Sequence, residues 1–99
     1  SHGYGSHEHY AGCRKLASTI QERGFNVQCE VIQNGWPKDD SVLDGASTIV
    51  IYSDGGGGHP ALPHLDRLGK LMDKGVGLVC LHYAVEVPKE NGGPEFTKW

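Results

Sequence analysis

The sequence predicts an α/β fold, a three-layer sandwich around a parallel sheet with flavodoxin-like order of elements. Three observations predict it. Two short apolar runs, Thr48–Tyr52 and Gly75–Ala84, read as strands buried on both faces, as in the middle of a parallel sheet. Two other stretches, one ahead of these runs and one between them, carry apolar residues at helical spacing. Helices and strands therefore alternate along the chain, which calls for parallel strands joined by right-handed crossovers.

Taken in order, the first helix is expected from His7 to Arg23. Tyr10, Cys13, Leu16, Ala17 and Ile20 recur at three- and four-residue steps, Ser6 is placed to cap the helix, and Gly24 is placed to stop it. From Phe25 to Ile32 the pattern changes to period two, with Phe25, Val27, Cys29 and Val31 set against Asn26, Gln28 and Glu30. That predicts a strand with one wetter face, near the sheet's edge. Asn34-Gly35-Trp36-Pro37 is a turn cluster, and Asp39-Asp40-Ser41 can begin a helical turn through Leu43 that Gly45 ends. Thr-Ile-Val-Ile-Tyr at 48–52 is β-branched and apolar throughout. After a loop through Gly55-Gly56-Gly57-Gly58, a second helix places Leu62, Leu65, Leu68, Leu71 and Met72 on one face and stops at Gly75. Pro60 and Pro63 must precede it or lie in its first turn. The run from Gly75 to Ala84 closes on His82, and residues 87–99 read as a loop with a short helix at 94–99.

A βαβ chain normally enters its first helix from a strand, whereas this one opens on Ser-His-Gly-Tyr-Gly. Residues 1–99 are therefore expected to be the N-terminal part of one domain, with a first strand before Ser1 and the C-terminal half of the sheet absent. An open sheet edge of that kind favours association through it, as in a homo-oligomer.

Bulk composition excludes several classes. A formal net charge of -3 with no Lys/Arg cluster argues against a nucleic-acid partner. No apolar run approaches the roughly 18 residues that span a bilayer, so no membrane segment is expected. Cys13, Cys29 and Cys80 lack CxxC spacing and read as small buried hydrophobes.

The histidines carry the chemistry. His2, His7 and His9 fall at the start of the first helix, Asp54 and His59 on the loop after one strand, and His82 at the tip of the next. Topology puts all of them at the sheet's carboxyl edge, where open α/β sheets bind ligands. Imidazoles and a carboxylate from separate loops suit zinc with one open position, and they suit general acid–base work equally well. His7 and His9 are two apart, about 200 degrees around a helix, so no helical ligand pair is expected there. His9 and His64 read as exposed or packing residues. The tetraglycine loop just before a helix can cradle an anion, although it lacks GxxxxGK[ST] and GxGxxG, and a flexible lid or a close approach to a polyhydroxylated ligand fits equally well.

Three stretches, Ser1-His2-Gly3-Tyr4-Gly5-Ser6-His7-Glu8-His9, Ile49-Val50-Ile51-Tyr52-Ser53-Asp54-Gly55-Gly56 and the glycine-entered strand closing on Leu81-His82-Tyr83-Ala84, run in the order of the trehalose-utilisation (ThuA-like) family, which the chain resembles over nearly all its length. The resemblance implies a class I glutamine amidotransferase-like fold. In the amidotransferases the sharp strand-to-helix turn holds a nucleophilic cysteine. Here His82 takes that position and Cys80 lies inside the strand, so amide hydrolysis is not expected.

The resemblance further implies carbohydrate metabolism in bacteria, a sugar or oxidised sugar as the small-molecule partner, a place in a larger multidomain chain and a divalent metal as cofactor, for which the donor set puts zinc first. On that reading His82, His7 and Asp54 are the expected catalytic groups. His2, His7, His59 and His82 are the expected metal ligands, and Gly55, Gly56 and Tyr83 the expected substrate contacts. The alternative on the same fold is a non-catalytic carbohydrate-binding or interaction module.

Overall fold

A computed structural model describes residues 7–99, so the expectations for His2 and for Ser6 as a cap lie outside the described residues. The chain is α/β. Three helices, α1 (His9–Glu22), α2 (Leu65–Asp73) and α3 (Gly93–Lys98), accompany two strands, β1 (Thr48–Tyr52) and β2 (Gly77–Leu81), with four short 3-10 turns between them. The strands pair in parallel with Val50 opposite Val79 and Tyr52 opposite Leu81, as two strands joined by a helical crossover should. Among the described residues no helix is long and apolar enough to cross a membrane.

Local signals explain the boundaries. Gly24 leaves α1 at φ +71 and Gly75 leaves α2 at φ +86, the left-handed conformation that glycine adopts without a Cβ penalty. At the end of α2 the N–H of Val76 reaches Leu71 O at 3.1 Å and that of Gly75 reaches Met72 O at 2.8 Å. This pair of bonds closes the helix as a Schellman motif and launches β2 two residues later. The 3-10 turn Asp40–Leu43 is capped by Asp39, whose side chain accepts from the Ser41 N–H. Arg67 on α2 holds that turn through Asp40 and through Asp44 at 2.6 Å.

Leu43, Ala61, Leu68, Leu71 and Ala84 are buried together with His59. Because side chains alternate across a strand, Val50, Tyr52, Val79 and Leu81 share one sheet face, and Ile49, Ile51, Leu78 and Cys80 the other. On the second face Leu78 and Cys80 line a groove of about 560 Å³ with Met72, Phe96 and Trp99. The first face meets α1 at its carboxyl end, where Tyr52 lies against Gly12.

Three expectations are corrected. The segment 25–32 forms no strand: Phe25 is 66% and Val27 48% exposed, and its Cys29 N–H is bound by the Gln21 side chain. Among the described residues the sheet consists of β1 and β2, so 25–32 has no ladder there to join, and a lone strand leaves its backbone groups to water. The strands are not buried on both faces either, since Val50 and Val79 are 41% and 42% exposed for want of a covering element. The apolar stripe of α1 is likewise only partly covered: Tyr10 and Leu16 are exposed and Cys13, Ala17 and Ile20 half-buried.

Gly12 shows packing overriding propensity. Glycine inside a helix costs about 1 kcal/mol relative to alanine. A Cβ there would lie 2.5 Å from Tyr52 Cε1 and 3.1 Å from Cδ1. Displacing a packed ring costs about 1–3 kcal/mol, more than the propensity gain. Gly12→Ala is therefore expected to destabilise the wild type by about 1 kcal/mol and to stabilise Tyr52→Ala, a sign reversal that a double-mutant cycle by urea unfolding measures.

Candidate functional site

The carboxyl ends of β1 and β2 and the start of α1 bring six side chains to one place. β1 delivers Tyr52 and, two residues on, Asp54. β2 delivers His82 and Tyr83, and the approach to α1 delivers His7 and His9. The ring centroids of His7 and His82 are 4.4 Å apart, those of His82 and Tyr83 4.2 Å, and those of His9 and Tyr52 4.8 Å. His7 lies parallel to His9 at 5.9 Å and edge-on to Tyr83 at 5.8 Å, while Tyr52 and His82 are 6.0 Å apart. His9 Nε2 faces Asp54 Oδ1 at 3.8 Å.

His82 sits where the backbone turns hardest. It follows β2 directly, has φ +59, and starts the 3-10 turn His82–Val85. Left-handed backbone costs an L-residue about 1–2 kcal/mol, and at such a turn it lifts the side chain clear of the strand. His82 is exposed, unlike its neighbours Leu81 and Tyr83. Cys80, two residues back, is half-buried, and burial pushes its thiol above the ordinary range, as it does for Cys13. A protonated thiol inside a strand is a poor nucleophile.

The loop after β1 is held by close backbone approach. A Cβ at Gly55 would collide with Tyr83 O and lie 2.8 Å from Glu86 O, so only glycine lets 53–58 lie against 83–86. The Gly56 N–H then donates to Glu86 O at 2.6 Å. This explains Gly55 as a packing glycine. It also spends the Gly56 N–H within the protein, so that group does not face a ligand. Tyr83, by contrast, does stand in the cluster.

His59 departs from the expected ligand set. It is 2% exposed. Its Nδ1 accepts from the Ala61 N–H at 3.2 Å, so Nε2 carries the proton and donates to Ala84 O at 3.0 Å. With both nitrogens bound to backbone, neither has a lone pair for a metal; the ring is a core tie between the glycine loop and the 3-10 turn after β2. Burial, opposed by the Ala84 bond, lowers its pKa from the ordinary 6.5. The unfolded chain therefore takes up a proton at His59 before the folded one does. Stability from this group is complete above pH 6.5 and falls as pH drops below it. A urea-unfolding series from pH 7.5 to 5 is expected to show that decline, with a shallower slope in His59→Gln.

Two cluster members, His9 and Tyr52, were not among the expected site residues, His9 having been placed at the carboxyl edge but read as exposed or packing. The helix was expected to begin at His7, which would have sent positions 7 and 9 to opposite sides. It begins at His9, so His7 is outside the helix and the two rings lie side by side. For Tyr52 the signal was strand parity: it pairs with Leu81 immediately before His82. His64 stacks on Trp36 at 4.5 Å, the packing role expected of it. Among the described residues no group of three His, Cys, Asp or Glu is arranged to hold a metal ion.

Comparison with family models, with curated proteins and with solved structures gives no match to this chain.

Proposed function

We propose that this chain has a ThuA-like fold, a three-layer class I glutamine amidotransferase-like sandwich, and binds or transforms a sugar or oxidised sugar at the carboxyl edge of its sheet. The observation that carries the reading is the convergence of His7, His9, Tyr52, Asp54, His82 and Tyr83 from three separate segments, with His82 raised on a left-handed turn. Imidazoles, phenols and a carboxylate are the donors and acceptors that a polyhydroxylated ligand requires, and the ring faces can take its C–H surface.

Within that site the exposed imidazole of His82 faces the ligand, His7 supports it from 4.4 Å, and Asp54 and Tyr83 bound the remaining walls. An imidazole so placed can act as general acid or base toward a substrate hydroxyl or carbonyl. The half-buried, protonated Cys80 argues for this proton chemistry over thiol chemistry.

A divalent metal, zinc first, is the proposed cofactor. His7 and His82 supply two imidazoles, fewer than the three protein ligands that a catalytic zinc takes, and His2 is the sequence's candidate for the third. When bound, such an ion polarises a carbonyl or activates water. Metal analysis of the full-length protein by plasma mass spectrometry, wild type beside His82→Ala, tests this. Near-stoichiometric metal lost in the variant is expected and directs assays to keto-sugars. Metal-free wild type removes the cofactor and leaves the histidines acid–base or binding roles.

A further inference from the structure

We infer that His9 and Asp54 form an orienting pair, in which Asp54 fixes His9 in its Nε2–H tautomer and leaves Nδ1 as the basic nitrogen for the ligand. The inference rests on the sugar-site reading for its purpose, but its geometry is independent of any ligand. His9 Nε2 is shielded from solvent and makes no hydrogen bond, and it faces Asp54 Oδ1, also shielded, at 3.8 Å. A buried donor left without an acceptor costs about 1–3 kcal/mol, and a charge-assisted N–H···O bond is about 2.8 Å long. The pair is thus about 1 Å from closing, and the carboxylate is the acceptor in view.

Tyr52 packs its ring edge-on to His9 at 4.8 Å and lies against Gly12, where an added Cβ would meet its ring. His7 lies parallel to the other side of the imidazole at 5.9 Å. The two rings border the imidazole whose Nε2 faces the carboxylate.

The chemical consequence is a base with a fixed polarity. When a ligand hydroxyl gives its proton to Nδ1, the O–H bond breaks and an N–H bond forms, and the imidazolium keeps its Nε2–H on Asp54, whose charge offsets the new one. His9 then handles the proton while His82 contacts the ligand, a division of labour between the two imidazoles. The class of ligand that uses it is one with an ionisable hydroxyl, such as the polyol edge of a sugar next to a carbonyl.

The test reads the imidazole nitrogens by long-range ¹H–¹⁵N correlation spectra of the full-length protein at pH 8. In the wild type, His9 Nε2 should be pyrrole-like and Nδ1 pyridine-like. Asp54→Ala removes the acceptor, so the His9 Nε2–H resonance should move upfield and exchange faster with water. His59 keeps its Nε2–H pattern as an internal reference for an intact core. A wild-type His9 in the Nδ1–H tautomer, or a His9 Nε2–H resonance that stays unchanged in Asp54→Ala, overturns the pairing. The wild-type spectrum decides the matter even where the variant does not fold. Because no ligand enters this measurement, a failed pairing is distinguishable from a failed sugar site, which loss of ligand binding in His82 variants reports separately.

Discussion

Replacing His82 with glycine is expected to leave the protein about as stable as the wild type while removing ligand binding or turnover. Two terms compete in the fold. The left-handed backbone at φ +59 costs an L-residue about 1–2 kcal/mol, which glycine does not incur. Against that, the imidazole loses its contacts with His7 and Tyr83, worth about 0.5–1.5 kcal/mol each when packed and less for an exposed ring. The terms nearly cancel. Alanine keeps the backbone strain and loses the contacts, so His82→Ala should be less stable than His82→Gly by about 1 kcal/mol, read as a difference in urea midpoints. Function should not follow that order. A positioned acid or base contributes about 10²–10⁴ in rate, so both variants should fall together by that factor. Wild-type binding and turnover in His82→Gly would remove His82 from the site.

Gly55→Ala should be the most damaging single-methyl change in this region. The added Cβ meets Tyr83 O and Glu86 O, which are backbone atoms and cannot rotate aside. The loop must retreat from 83–86, which also breaks the Gly56 N–H bond to Glu86 O. Overpacking at about 1–3 kcal/mol and a lost hydrogen bond at about 1 kcal/mol give a cost of roughly 3 kcal/mol. In a domain of this size that lowers Tm by roughly 10–20 °C. Gly56→Ala is the contrast. Its φ is +61 but nothing lies within 4 Å of the new atom, so only backbone strain of about 1 kcal/mol applies. Equal Tm losses in the two variants, measured by calorimetry, would contradict the close approach. Because Asp54 precedes Gly55 and Tyr83 lies beneath it, the same substitution should also disturb the cluster.

Much of this was legible before the structure, for reasons that differ by element. β1 and β2 were readable because a five-residue β-branched or apolar run needs no distant partner to be recognised. The second helix was readable because Leu65, Leu68, Leu71 and Met72 repeat at helical steps and Gly75 ends them. The alternation at Phe25–Ile32 reports which side chains could face a sheet. It carries no information on whether a ladder lies alongside, and none does among the described strands. In the site, His82 was legible from its place at a strand tip. His9 was missed through a two-residue error in the helix start, which decides whether two histidines oppose or adjoin each other. His59 was misassigned because a histidine on a glycine loop looks the same in sequence whether its nitrogens face a ligand or two backbone groups. Only the bonds to Ala61 and Ala84 separate those cases.

The central claim is that the imidazoles gathered at the carboxyl edge contact a sugar-derived ligand. Titrating full-length protein with a panel of keto-sugars and sugar acids, while following every histidine side chain by NMR, tests it most directly. The account predicts saturable shifts at His7, His9 and His82 for at least one compound, none at His59 or His64, and no response in His82→Gly. A compound that binds saturably while His7, His9 and His82 stay unmoved would contradict it.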